Sequence, residues 1–131
     1  MENLNNLVRR LTGNYLQIAV DNHSFFVNDI PANVTVENHG QRITSVVSRM
    51  LAIVAAHVKN TCIRLSARKD GDLTILEIKE SGIINTYALA SDLQTVNLLA
   101  EQIGGRLSIS IPKPAVTTIS FSIPGPYSPA A

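Results

Sequence analysis

Apolar and polar positions alternate along this chain in two periods, and the changes of period mark its elements. Leu4, Leu7, Val8 and Leu11 repeat at helical spacing and stop at Gly13-Asn14, which predicts a short lead-in helix over residues 1–14. Tyr15 to Val20 and Ser24 to Val27 read as strands on either side of the turn cluster Asp21-Asn22-His23, a first hairpin. Asn28-Asp29-Ile30-Pro31 breaks the second of these, and Val34-Thr35-Val36 is a short extended piece before Asn38-His39-Gly40. From Gln41 to Lys59, Ile43, Val46, Val47, Met50, Leu51, Val54, Ala55 and Val58 recur every three or four positions with no glycine or proline between them, which predicts a long helix. Burying such a face is worth roughly 1.5–3 kcal/mol per large side chain, so this helix belongs against a sheet.

Thr61 to Arg68 and Leu73 to Lys79 alternate around Lys69-Asp70-Gly71-Asp72, whose Asp-Gly pair favours a tight antiparallel hairpin. A second helix is expected from Tyr87 to Ile103, carrying Leu89, Leu93, Val96, Leu99, Ala100 and Ile103 on one face and closed by Gly104. Arg106 to Ile111 and Val116 to Ile123 form a last hairpin across Pro112-Lys113-Pro114-Ala115. Two helices with core-facing stripes are buried together by lying on one face of a mixed, mostly antiparallel sheet. The expected fold is therefore α+β, a two-layer α/β sandwich over residues 15–124, with 125–131 as a flexible tail.

Composition narrows the function more than it assigns it. At 131 residues with 45% apolar and 16% charged side chains the chain makes one globular domain, and nothing in it approaches the ~20 apolar residues of a membrane span. The polar start, Met1-Glu2-Asn3-Leu4-Asn5-Asn6, is no secretion signal, which points to the cytoplasm. A formal charge of +1 supplies no field to gather nucleic acid or anionic lipid. The single cysteine, Cys62, sits in a strand-like apolar run and reads as core. His23 and His39 lie in turns without Cys or carboxylate partners at ligand spacing, so no metal site is expected. His57, alone on the first long helix, reads as a surface or packing residue, and Ser45, Ser48 and Ser66 lack the setting of a nucleophile.

The element order, together with Gly104-Gly105-Arg106-Leu107-Ser108-Ile109 and Val116-Thr117-Thr118-Ile119-Ser120-Phe121-Ser122-Ile123-Pro124, resembles the histidine-kinase-type ATPase domain, the GHKL superfamily or Bergerat fold. The resemblance covers Leu16 to Pro124 and implies an ATP pocket built from pieces that can be compared position by position. Family members hold magnesium with an asparagine on the first helix; here that position is Ile53 in one register and Ala56 in another, and Gln41 to Lys59 contains no Asn, Asp or Glu. The family's adenine-binding Asp-x-Gly-x-Gly box matches Glu80, Ser81, Gly82, Ile83 and Ile84, which keep one carboxylate and one glycine. The phosphate-wrapping Gly-x-Gly-Leu matches Ala90, Ser91, Asp92 and Leu93, where an aspartate faces the place of an anion. The connection from Gly82 to Ala88 is also short for a lid.

What the resemblance implies is a stand-alone GHKL-type domain, degenerate at its nucleotide site, acting without catalysis as a regulatory interaction module in bacterial signalling. It has no cofactor, a protein partner and the capacity to pair as a homodimer, with Leu4, Leu7, Val8 and Leu11 as the candidate contact. Two alternatives stand beside it. One is retained ATP or ADP binding, with Glu80 and Gly82 as the nucleotide contacts and magnesium held by water and phosphate. The other is a small-ligand sensor using a pocket made more apolar by Ile53, Ile83 and Ile84.

Overall fold

A computed structural model of the chain describes residues 1–82, 85–113 and 116–125. Ile83, Ile84, Pro114, Ala115 and the expected tail from 126 to 131 lie outside the described residues. Among those described, the order is β1 (Glu2–Asn3), α1 (Leu4–Asn14), α2 (Leu16–Asp21), β2 (Phe25–Asn28), β3 (Thr35–Val36), α3 (Arg42–His57), β4 (Cys62–Asp70), β5 (Leu73–Glu80), α4 (Thr86–Glu101), β6 (Arg106–Lys113) and β7 (Val116–Ile123). The main sheet has the strand order β2-β4-β5-β7-β6, parallel only between β2 and β4, and β1 pairs separately with β3. This is the mixed, mostly antiparallel sheet with a helical layer that the pattern predicts.

The core forms where the strand period and the helix period meet. Ile63 and Leu65 of β4, Leu76 and Ile78 of β5, and Ile119, Phe121 and Ile123 of β7 alternate onto one face. They share a single apolar cluster with Met50, Leu51 and Val54 of α3 and Leu89, Leu93 and Val96 of α4. All eight apolar positions predicted for α3 are buried. Of the predicted second-helix stripe, Leu99 on α4 and Ile103 just past its end are partly buried against the cluster. The helix ends as Gly104 takes φ +80°, with the Gly104 N–H on the Glu101 carbonyl and the Gly105 N–H on the Ala100 carbonyl at 2.8 Å, a Schellman closure. In the β4–β5 hairpin Asp70 pairs with Leu73, so the loop is Gly71-Asp72 and the glycine supplies the positive φ.

The N-terminal third departs from expectation. Tyr15 to Val20 is the N-cap and body of α2 (Leu16–Asp21), a short helix, and no strand of a first hairpin. Alternation over six residues fits either period, and α2 buries only Ala19 while Leu16, Ile18 and Val20 stay exposed. The sheet edge it was expected to share is taken by β2, which reaches past α3 to pair in parallel with β4. Tyr15 packs on the core and its hydroxyl meets Ser48 Oγ at 2.5 Å, while the Asn22 amide donates to the Ala55 carbonyl at 2.8 Å, fixing both ends of α2 to α3.

α1 likewise does more than lead in. Leu4, Leu7, Val8 and Leu11 are buried in the main cluster, so the face expected to contact a partner is turned inward against α3. Asn3 caps the helix at the Asn6 N–H, the Asn5 amide donates to the Ile30 carbonyl, and the Leu4 N–H to the Val34 carbonyl. Cys62, expected in the core, is half-buried at the first position of β4. Because Leu7 is fully buried, Leu7→Ala should lower stability by about 2–5 kcal/mol in urea denaturation, whereas Leu16→Ala on α2 should change it little.

Candidate functional site

Glu80 ends β5 on the same face of the strand as Leu76 and Ile78, so its side chain turns toward the helical layer. It is 4% exposed, a buried carboxylate at the end of the strand. One carboxylate oxygen, Oε2, accepts the N–H of Gly82 two residues on. A glutamate at this position thus holds its own loop, as an Asx turn does with one methylene fewer.

Gly82 is fixed by its neighbours' backbone. Its carbonyl accepts the Lys59 N–H at 3.0 Å, and Thr61 Oγ1 accepts the Ser81 N–H at 3.2 Å, stitching the end of β5 to the connection between α3 and β4. A Cβ at Gly82 would lie 2.3 Å from the Lys59 carbonyl oxygen and 2.8 Å from Thr61 Cβ. No side chain fits there. What approaches this glycine is the protein's own chain.

Of the remaining described positions compared with the nucleotide pocket, Ile53 and Asp92 fall on facing sides of α3 and α4, which pack directly on each other. α4 starts at Thr86, capped by the Asn85 side chain on the Ala88 N–H, so Ala90 to Leu93 lie inside the helix and not in a loop at its N-terminus. Only residues 81–85 separate β5 from α4. Asp92 Oδ2 stands 2.6 Å from His57 Nε2 at the last turn of α3, a bond between the two helices. Asp92 with Thr95 and Val96, and Arg49, Ala52 and Ile53 across from them, line an open groove of about 320 Å³. Ile53 is half-buried there and Ala56 is exposed. Glu80 and Gly82 are not among the lining residues, so the structure brings Ile53 and Asp92 together and leaves the other two apart.

Arg42 to His57 offers only the neutral hydroxyls of Thr44, Ser45 and Ser48 as oxygen donors. Among the described residues no three His, Cys, Asp or Glu side chains converge as they would on a metal ion. The His57–Asp92 bond was not foreseen, since its partners are 35 positions apart, His57 reading as a surface or packing residue and Asp92 as the match to a phosphate-wrapping position. The available signal was one of position: His57 closes α3 and Asp92 sits at the start of the α4 stripe, on helices expected to lie side by side.

No family model matches the chain, and no curated protein matches it. Solved structures do match. The histidine kinase AdeS of Acinetobacter baumannii superposes with a TM-score of 0.81 at 14% identity, over 96% of this chain and 66% of that one. The nucleotide-free catalytic domain of histidine kinase ThkA gives a TM-score of 0.68 at 18% identity, over 93% and 92%. Full-length ShkA, in complex with AMPPNP, gives 0.76 at 12% identity, over 96% of this chain and 31% of its own. The fold is that of the histidine kinase ATPase domain, and the chain spans less than two thirds of AdeS and under a third of ShkA.

Because Gly82 leaves no room for a Cβ beside the Lys59 carbonyl, Gly82→Ala should cost about 1–3 kcal/mol or more, read by urea denaturation with no ligand present. A glycine kept free for nucleotide contact would tolerate alanine in that measurement. The His57→Ala and Asp92→Ala cycle should return a coupling of only about 0–1 kcal/mol, because the Asp92 side chain is 56% exposed.

Proposed function

We propose that this domain is a non-catalytic regulatory interaction module that uses the histidine kinase ATPase fold as a scaffold in bacterial signalling. It works in the cytoplasm through a protein partner and can pair with a second copy. The observation that carries this reading is the His57–Asp92 bond, which ties α4 to α3 at a residue matched to the family's phosphate-wrapping segment. A carboxylate engaged there offers a triphosphate repulsion in place of backbone N–H groups. Two further facts support it: α3 carries no carboxylate or amide oxygen for magnesium, and Glu80 Oε2 is spent on the Gly82 N–H. No helix of the described residues is long and apolar enough to cross a membrane, in keeping with a cytoplasmic role.

A second reading, retained nucleotide binding, is favoured by the burial of Glu80 at the position of the adenine-contacting carboxylate and by the AMPPNP held in the ShkA structure. A third, small-ligand sensing, draws on the groove floored by Ala52, Ile53 and Val96. Thermal denaturation with ATP and ADP, with and without magnesium to millimolar concentration, separates them. The interaction-module reading expects no movement of the midpoint. Nucleotide at ~100 times its dissociation constant would add ~2.7 kcal/mol, several degrees here, and Glu80→Ala would remove that gain. A magnesium-dependent shift of that size sinks the first reading.

A further inference from the structure

We propose that the open edge of β6 and the groove beside it capture, as an added strand, an extended segment of a partner protein with uncharged residues facing the groove. The proposal rests on the interaction-module reading and gives it a surface. β6 is an outermost strand of the main sheet, and among the described residues no strand pairs along its outer side. An eight-residue edge of this kind is a template for another chain unless something blunts it.

Which groups the edge presents follows from one hydrogen bond. In an antiparallel ladder, successive residues turn their N–H and C=O alternately to one neighbour and to the other. The Leu107 N–H is donated to Asn97 Oδ1 of α4 at 2.8 Å, so Leu107 faces away from β7. Arg106, Ser108 and Ser110 then make the bonds to β7, opposite Ser122, Ser120 and Thr118, and Ile109 faces outward like Leu107. Asn97 covers the Leu107 N–H, and beyond Ser110 the register with β7 shifts. Both ends of the edge are therefore blunted, while among the described residues nothing pairs with the Leu107 carbonyl or the N–H and carbonyl of Ile109 between them.

Alongside these groups α4 and β6 form a groove of about 220 Å³, lined by Ala90, Leu93 and Gln94 on one side and Leu107 and Ile109 on the other. It runs on into a smaller hollow of about 130 Å³ that shares Ala90 and Gln94 and reaches Tyr87, which is 86% exposed. The groove has room for one branched aliphatic side chain and contains no charged group. A charged side chain buried there would lose its hydration without gaining a partner. The fitting ligand is thus an extended segment whose groove-facing residues are uncharged, one of them aliphatic.

A second copy does not fit by antiparallel pairing of two β6 edges. Among the strands α4 packs chiefly on β6, and such pairing puts both α4 helices on the same side of the joined sheet. Paired strands lie about 4.8 Å apart, whereas packed helices need about 8–10 Å between axes. A bare strand brings no helix to collide.

The test is selection of displayed random eight-residue peptides on the full chain, followed by fluorescence anisotropy of the recovered peptide made with blocked ends. Two variants report on the site: Ala90→Phe fills the groove, and Ile109→Pro removes an outward N–H that β7 does not use. Each should weaken binding about tenfold or more with the melting temperature kept, and N-methylation of the peptide's central amide should do the same. Should Ile109→Pro unfold the chain, Ala90→Phe and the methylated peptide decide alone. Recovery of no peptide above the bare support overturns the proposal, as does a peptide that neither Ala90→Phe nor methylation weakens. Self-association abolished by Ala90→Phe would assign the groove to a second copy and overturn it too. Each of these failures leaves the interaction-module reading to stand or fall on the nucleotide shift.

Discussion

The structure depends on α3 being apolar around more of its circumference than a helix resting on a sheet requires. Ile43, Val46, Val47, Met50, Leu51, Val54 and Ala55 are all buried because α1 covers one flank, α4 the other, and the side chains of β4, β5 and β7 complete the same cluster. Every helix in the layer is placed by reference to this one. Side chains that touch several neighbours at once leave little freedom to shift, since interiors are close-packed and transmit any change of volume.

That constraint also shapes the region between α3 and α4. A pocket for a triphosphate needs polar walls held apart, with oxygen ligands and backbone donors facing water-sized gaps. Here the facing walls of the groove carry Ala52, Ile53 and Val96 together with Arg49, Asp92 and Thr95, and the helices pack on each other beside it. The His57–Asp92 bond links the two helices. The glycines tell the same story from the other side. Gly82 is held by the approach of Lys59 and Thr61, and Gly105 by the Ser122 carbonyl and the Phe121 ring, so both follow from packing of the chain upon itself.

Much of this was legible in the sequence wherever a pattern was long or local. α3 and α4, each 16 residues, were placed to within a turn by their stripes, and the β4–β5 and β6–β7 hairpins by their alternation and short loops. The failure at Tyr15 to Val20 came from a segment too short to hold a period. The parallel pairing of β2 with β4 left no local mark, because it joins residues on either side of α3. The candidate site was legible by identity and not by setting. Glu80 and Gly82 were singled out by matching, but the burial of the one is set by the fold and the backbone clasp on the other depends on Lys59 and Thr61, some twenty positions away. The His57–Asp92 bond left only the positions of its partners on neighbouring helices as a mark.

The docking of α1 on α3 has a consequence for how the chain comes into being. Domains begin to fold as they are synthesised, N-terminus first. The stripe of Leu4, Leu7, Val8 and Leu11 therefore leaves the ribosome before its partner on α3 has been translated. The β4–β5 and β6–β7 hairpins, whose strands are adjacent in sequence, close small loops and form quickly, whereas α1 and β2 must wait for long-range closure. During synthesis the most apolar face of the N-terminal third is thus a nascent-chain surface that a chaperone can hold, and it disappears from view only when α3 arrives.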